Sequence, residues 1–257
     1  MPREERHRVR DISVRSLRSG SGEPLLFLHG ASGLPVWGPF FEALSQRYEV
    51  LVLEHPGFGA SDNPKWLRDV NDMAMYYLDV LDGLALPKLH LVGNSLGGWI
   101  AAELATRNCT QLASLTLLAP AGLRVKGIPS GDNFIWSPED SVRNLFHDQA
   151  LADHILATEV SEEERDLQLN SRFMAARLGW QPRWFNPALE RWLHRIQVPT
   201  LLLWGEEDKL LPAAYAAAWE AQIPDIRVER LRECGHLPHI EKPAVTADRV
   251  LAFLEGK

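Results

Sequence analysis

The 257-residue sequence contains only two cysteines, Cys109 and Cys234. Two thiols cannot form the disulfide framework of a small secreted protein, and neither sits at metal-ligand spacing from a histidine. No apolar run is long enough to span a bilayer and no apolar stretch follows Met1 closely, so neither membrane insertion nor export is signalled. Positive charge is not in excess: 27 Lys and Arg against 34 Asp and Glu leave a net charge of −7, which argues against nucleic acid or an anionic membrane as partner. The basic run over residues 3–10 is short, is mixed with Glu4 and Glu5, and reads as a frayed, solvated end. Internal repeats and low-complexity tracts are lacking. The expectation is a cytoplasmic protein whose partner is a small molecule, with monomer and homodimer both left open.

Hydrophobic residues make up 46% of the chain, enough for a sizeable core. Strand-like stretches at 11–18, 24–28, 48–53, 89–94, 112–118, 198–204 and 226–231 alternate with helix-like ones at 37–46, 70–84, 96–108 and 213–222, and Pro243 opens a last helix. That rhythm implies an α/β protein with right-handed crossovers and a mostly parallel, doubly wound sheet. Between residues 123 and 195 the rhythm breaks. Helix-like, charged and aromatic stretches replace the Val/Ile-rich strands, including a start at Ser161 with Glu164 in capping-box position. This reads as an inserted helical cap, residues 123–195, on a core of residues 1–122 and 196–257. Its aromatic side chains could roof an apolar pocket, and Trp136, Phe146, Trp180 and Trp184 are the candidates.

The stretch that carries chemistry is Gly93-Asn94-Ser95-Leu96-Gly97-Gly98, where an apolar run turns into an Ala-rich helix. Small residues on both sides let the backbone close up, leaving Ser95 at the carboxyl end of a strand before a helix N-terminus. The bland alternative is a serine that caps the helix. His29-Gly30-Ala31-Ser32-Gly33 forms a second small-residue loop at a strand end, suited to presenting main-chain N–H groups. Late in the chain, Glu206, Glu207 and Asp208 follow one strand, and His236 and His239 follow the next. Parallel strands bring these ends to one sheet edge.

With Ser95, an acid and a histidine in that order, the chain resembles the α/β-hydrolase superfamily, in its cap-bearing serine hydrolase branch. The match runs from the His29-Gly30 loop through Pro56-Gly57-Phe58-Gly59, the elbow at Ser95 and Trp204-Gly205-x-x-Asp208 to Gly235-His236. The resemblance implies Ser95 as nucleophile, Asp208 as the acid three residues after its glycine, and His236 as the base, with no cofactor and no metal. It also implies Ala31 and Leu96 as backbone donors to an oxyanion; Ser32 and Leu237, next to Ala31 and His236, are further pocket candidates. Within the branch the chain is similar both to carboxylesterases and to meta-cleavage-product hydrolases, which cut carbon–carbon bonds. Two features depart from the latter: the oxyanion loop lacks their Gly-Pro element, and Leu237 stands where they usually carry Trp. Serine at position 95 departs from epoxide hydrolases and haloalkane dehalogenases, which use aspartate.

The expectation is an esterase of small to medium apolar or aromatic esters. Cleavage of vinylogous diketones is the alternative and requires a pocket cation such as Arg172, Arg177, Arg183 or Arg191. A ligand-binding protein that keeps the fold without turnover is the third reading.

Overall fold

The computed structural model describes residues 1–86 and 88–256. Eight strands form one sheet: β1 (Arg3–Val9), β2 (Ile12–Ser19), β3 (Glu23–Leu28), β4 (Tyr48–Leu53), β5 (Leu89–Asn94), β6 (Leu112–Leu118), β7 (Thr200–Gly205) and β8 (Ile226–Leu231). Their order across the sheet is β1-β2-β4-β3-β5-β6-β7-β8. From β4 to β8 every pairing is parallel, and β2 joins antiparallel at the β4 side. Between β3 and β5 the direction of winding reverses, which opens a crevice at the carboxyl ends of those two strands.

The central strands are apolar on both faces, and their period of two sorts side chains between two helical layers. Leu26, Leu28, Leu202 and Trp204 enter one core with α2 (Val70–Leu84) and α3 (Leu96–Arg107). Leu25, Phe27, Leu201 and Leu203 enter the other, with α1 (Pro39–Ser45) and the C-terminal helix (Pro243–Leu254). Helix α2 buries Val70, Met73, Ala74, Tyr77, Val80 and Leu81 at helical spacing and starts on Asp69, whose side chain accepts the Asp72 N–H.

Residues 3–10 correct the sequence reading. They are not a frayed end but strand β1, paired antiparallel with β2 from Arg3 opposite Arg18 to Val9 opposite Ile12. An edge strand with little buried surface needs no apolar alternation; ladder hydrogen bonds and cross-strand contacts such as Glu4 with Arg15 (2.9 Å) and Arg6 Nε with Ser13 Oγ (3.0 Å) suffice. Arg10 makes the turn at φ 54°. The run at 213–222 is likewise shorter than expected, a 3₁₀ turn at Ala213–Tyr215 leading into a helix at Ala216–Glu220.

Between β6 and β7 lie α4 (Pro138–Leu145), α5 (Gln149–Ala157), α6 (Glu162–Gly179) and a 3₁₀ turn (Leu189–Arg195). Helix α6 begins on the Ser161/Glu164 capping box. Burial here is sparse: α4 has no buried residue and α5 only Ala152. After the 3₁₀ turn at Ala213–Tyr215 come α7 (Ala216–Glu220), α8 (Pro238–Glu241) and α9 (Pro243–Leu254). No described helix is long and apolar enough to cross a membrane.

Candidate active site

Ser95 leaves β5 at φ 52° and ψ −114°, a conformation that non-glycine residues rarely adopt. The surroundings hold it there: its N–H donates to the Leu118 carbonyl (2.9 Å), and its own carbonyl accepts from Trp99 and Ala121 (both 3.0 Å). The flanking glycines serve close approach. A Cβ on Gly93 would strike the Gly97 backbone, and one on Gly97 would strike the Leu28 carbonyl. The Ser95 side chain does not cap α3. Its Oγ lies instead 2.8 Å from His236 Nε2.

On the other side of the ring, His236 Nδ1 is 2.7 Å from Asp208 Oδ2. Asp208 Oδ1 accepts the Leu210 and Leu211 N–H groups at 2.9 and 2.8 Å. A carboxylate facing Nδ1 requires the proton there, so the Nε2 lone pair is left to accept the Ser95 hydroxyl. Of the three neighbouring acids only Asp208 meets the histidine: Glu206 is exposed, and Glu207 accepts the Cys234 N–H at 2.8 Å. His239 is buried against Phe27, Phe40 and Phe41, and burial, with the nearby His236 second, pushes its pKa down to about 3.

Three successive N–H groups of the loop carrying His236 are tied. Cys234 donates to Glu207, Gly235 to Glu241 Oε2 (2.5 Å) and His236 to the Leu145 carbonyl (2.8 Å). A Cβ on Gly235 would meet that carbonyl at 2.5 Å, so the loop lies directly on the turn between α4 and α5.

His29 accepts the His55 N–H on Nε2 (2.9 Å) and therefore donates from Nδ1 to the Gly30 carbonyl (2.7 Å). In a trans peptide the carbonyl and the following N–H point opposite ways, so holding the Gly30 oxygen turns the Ala31 N–H away from His29. Among the described residues neither the Ala31 nor the Leu96 N–H has a hydrogen-bond partner. Burial lowers the His29 pKa to about 4, and burial followed by the neighbouring His29 lowers His55 well below its ordinary value.

A cavity of about 20 Å³ sits over Ser95, room for one water-sized group. Its wall is Ala31, Ala121, Asn133, Trp184, Leu210 and Leu211. Of the pocket candidates only Trp184 belongs to this wall. Ser32 is exposed, Trp180 is 56% exposed, Trp136 packs over Gly131, Phe146 is buried behind Gly235, and half-buried Leu237 precedes α8. Asn133 and Glu241 escaped the sequence reading, because nothing in their local sequence distinguishes them from loop and surface residues. None of the four candidate arginines is in the wall either. Arg183 pairs with Asp132, Arg177 donates to Asn63, and Arg172 and Arg191 are exposed.

The family model of the alpha/beta hydrolase family matches residues 25–249. The chain belongs to the α/β hydrolase family. Three relatives of this hydrolase span different reactions. It is 29% identical to the dihydrolipoyllysine-residue acetyltransferase component of the acetoin cleaving system of Pseudomonas putida, over 91% of this chain but only 64% of that protein. It is 28% identical to the 2-hydroxymuconate semialdehyde hydrolase of Pseudomonas sp. (strain CF600), over 92% of this chain and 88% of the other. It is also 28% identical to the pimeloyl-[acyl-carrier protein] methyl ester esterase of Nitrosomonas europaea, over 90% and 95%. Among solved structures, a membrane phospholipase A superposes with a TM-score of 0.79 at 28% identity, covering 99% of this hydrolase and 86% of that chain.

Proposed function

We propose that this α/β hydrolase is a cofactor-independent serine carboxylesterase acting on small to medium apolar or aromatic esters, with residues 123–195 as a cap over the site. The observation that carries this reading is the Ser95–His236–Asp208 chain, with 2.8 and 2.7 Å separations and the Nε2 lone pair toward the hydroxyl. Ser95 Oγ attacks the ester carbonyl as its proton passes to His236 Nε2, and Asp208 stabilises the imidazolium. The negative charge that forms on the carbonyl oxygen meets the Leu96 N–H at the α3 N-terminus and the Ala31 N–H of the loop after β3. His236 then returns the proton to the departing alcohol. Water, deprotonated by the same ring, releases the acid from Ser95.

The neutral wall of the cavity favours an ester over a diketone that carries a carboxylate, since no arginine lines it. Hydrolysis of p-nitrophenyl esters of increasing acyl length, compared between wild type and Ser95→Ala, tests the reading. We expect an initial burst and steady turnover in the wild type and a loss of at least about 10³-fold in the variant. Equal rates in the two proteins would overturn it. A wild type that cleaves only a dienone substrate would move the assignment to carbon–carbon hydrolysis, and one that turns over neither would leave a ligand-binding role.

A further inference from the structure

Among the described residues of the wall over Ser95, Asn133 alone carries a side-chain amide; Ala31, Ala121, Leu210, Leu211 and the Trp184 ring supply the rest. Trp184 Nε1 meets Asn133 at 2.8 Å. An indole N–H can only donate, so the atom it meets is the Asn133 oxygen and the NH₂ group lies on the other side of the amide. Among the described residues that NH₂ group has no hydrogen-bond partner.

The amide is also held in place. Trp184 sits at φ 58°, an outlier for a bulky residue, and is fixed by hydrogen bonds from its N–H to the Gly179 carbonyl and from the Gly122 N–H to its own carbonyl, both 3.0 Å. Its ring stacks on Phe134 at 5.0 Å with the planes 3° apart, and presses on Gly179, where a Cβ would meet it at 2.5 Å. On the other flank Asp132 pairs with Arg183, whose guanidinium lies over Phe134 (5.0 Å) and Trp180 (4.4 Å). Residues on both sides of Asn133 are thus pinned, and a donor held in advance loses little freedom when it binds.

We propose that Asn133 determines specificity by donating a hydrogen bond to an acceptor that the ester carries near the scissile bond. The preferred substrates are then neutral esters with an ether, hydroxyl or keto oxygen, and plain alkyl esters are disfavoured because they displace water from that N–H without replacing its hydrogen bond. This inference rests on the esterase reading of Ser95.

The test compares kcat/KM for two isosteric pairs in wild type, Asn133→Asp and Asn133→Leu. On the acyl side the pair is p-nitrophenyl methoxyacetate and p-nitrophenyl butyrate; on the alcohol side it is 2-methoxyethyl acetate and butyl acetate. Asn133→Asp keeps an oxygen for Trp184 and removes the donor, whereas Asn133→Leu removes both without adding charge. Intrinsic reactivity cancels when each pair's ratio is compared between proteins. We expect the preference for the ether member to fall about tenfold in both variants on at least one pair, the value of one hydrogen bond. Unchanged ratios on both pairs, with Ser95-dependent turnover intact, overturn this inference alone. Absence of any Ser95-dependent ester turnover overturns the esterase reading and this one with it.

Discussion

Glu241 accepts the backbone N–H of Gly235, the residue before His236, at 2.5 Å. Its other carboxylate oxygen accepts the Asp148 N–H, also at 2.5 Å, at the start of α5. One side chain therefore ties the histidine loop to the helical segment between β6 and β7. A carboxylate can accept on both oxygens, but an amide turns a donor toward one of the two N–H groups. Glu241→Gln should lower kcat about tenfold with little change in KM and cost about 1–3 kcal/mol of stability. Steady-state kinetics and denaturant unfolding measure the two effects. Wild-type kcat in the variant would show that the clamp does not position the ring.

Two glycines should respond to alanine in opposite directions. At Gly97 the added methyl meets the Leu28 and His29 backbone, which cannot yield without moving the loop that carries Gly30 and Ala31. Gly97→Ala should therefore cost about 3 kcal/mol or more and abolish turnover. At Gly83, exposed within α2, a Cβ meets nothing within 4 Å. Gly83→Ala should stabilise the protein by about 0.5–1 kcal/mol with activity unchanged. Thermal unfolding of both variants checks the pair.

Stability should fall steeply in mild acid. Burial lowers His29 to about 4, His239 to about 3 and His55 well below its usual value, so all three are neutral in the folded protein where the unfolded chain, near pH 6.5, begins to protonate. The unfolded state then binds more protons, and their contribution to stability, complete above pH 6.5, is lost as pH falls through the folded values. Each histidine adds a slope of about 1.4 kcal/mol per pH unit below that point. Urea midpoints measured between pH 7.5 and 4.5 should decline accordingly; a flat profile would show that the three rings titrate in the fold as they do in the unfolded chain.

Arg183 pairs with Asp132 and covers Phe134 and Trp180, bracing the wall beside Trp184. Arg183→Met should loosen that wall, cost about 1 kcal/mol and raise activity on bulky acyl esters relative to short ones. The p-nitrophenyl ester profile of the variant, set against wild type, reads this directly. An unchanged profile would place the size limit elsewhere.

The sheet and the meeting of Ser95, Asp208 and His236 were legible because each rests on local signals: apolar runs of strand length, glycines around one serine, and an acid and a histidine each just past a strand. Strand β1 was not, since its sequence, with one aliphatic residue among seven, lacks the alternation that marks a half-buried strand. Of the aromatic rings between β6 and β7, Trp184 is the one in the wall of the cavity over Ser95. Trp136, Phe146 and Trp180 are equally aromatic, and only the path of the chain between β6 and β7 decides which ring faces Ser95. Asn133 and Glu241 hydrogen-bond to partners 51 and 93 residues away, at Trp184 and Asp148, and no local pattern encodes such distances.

The two outermost strands of the sheet carry a consequence for solubility. β1 reads Arg-Glu-Glu-Arg-His-Arg-Val, and β8, at the opposite border, carries Arg227, Glu229 and Arg230. A strand from another molecule that docked on either border would have to strip water from these charges to complete its ladder. The charged borders therefore act as guards against sheet-to-sheet polymerisation and keep the apolar strands between them from pairing with another molecule.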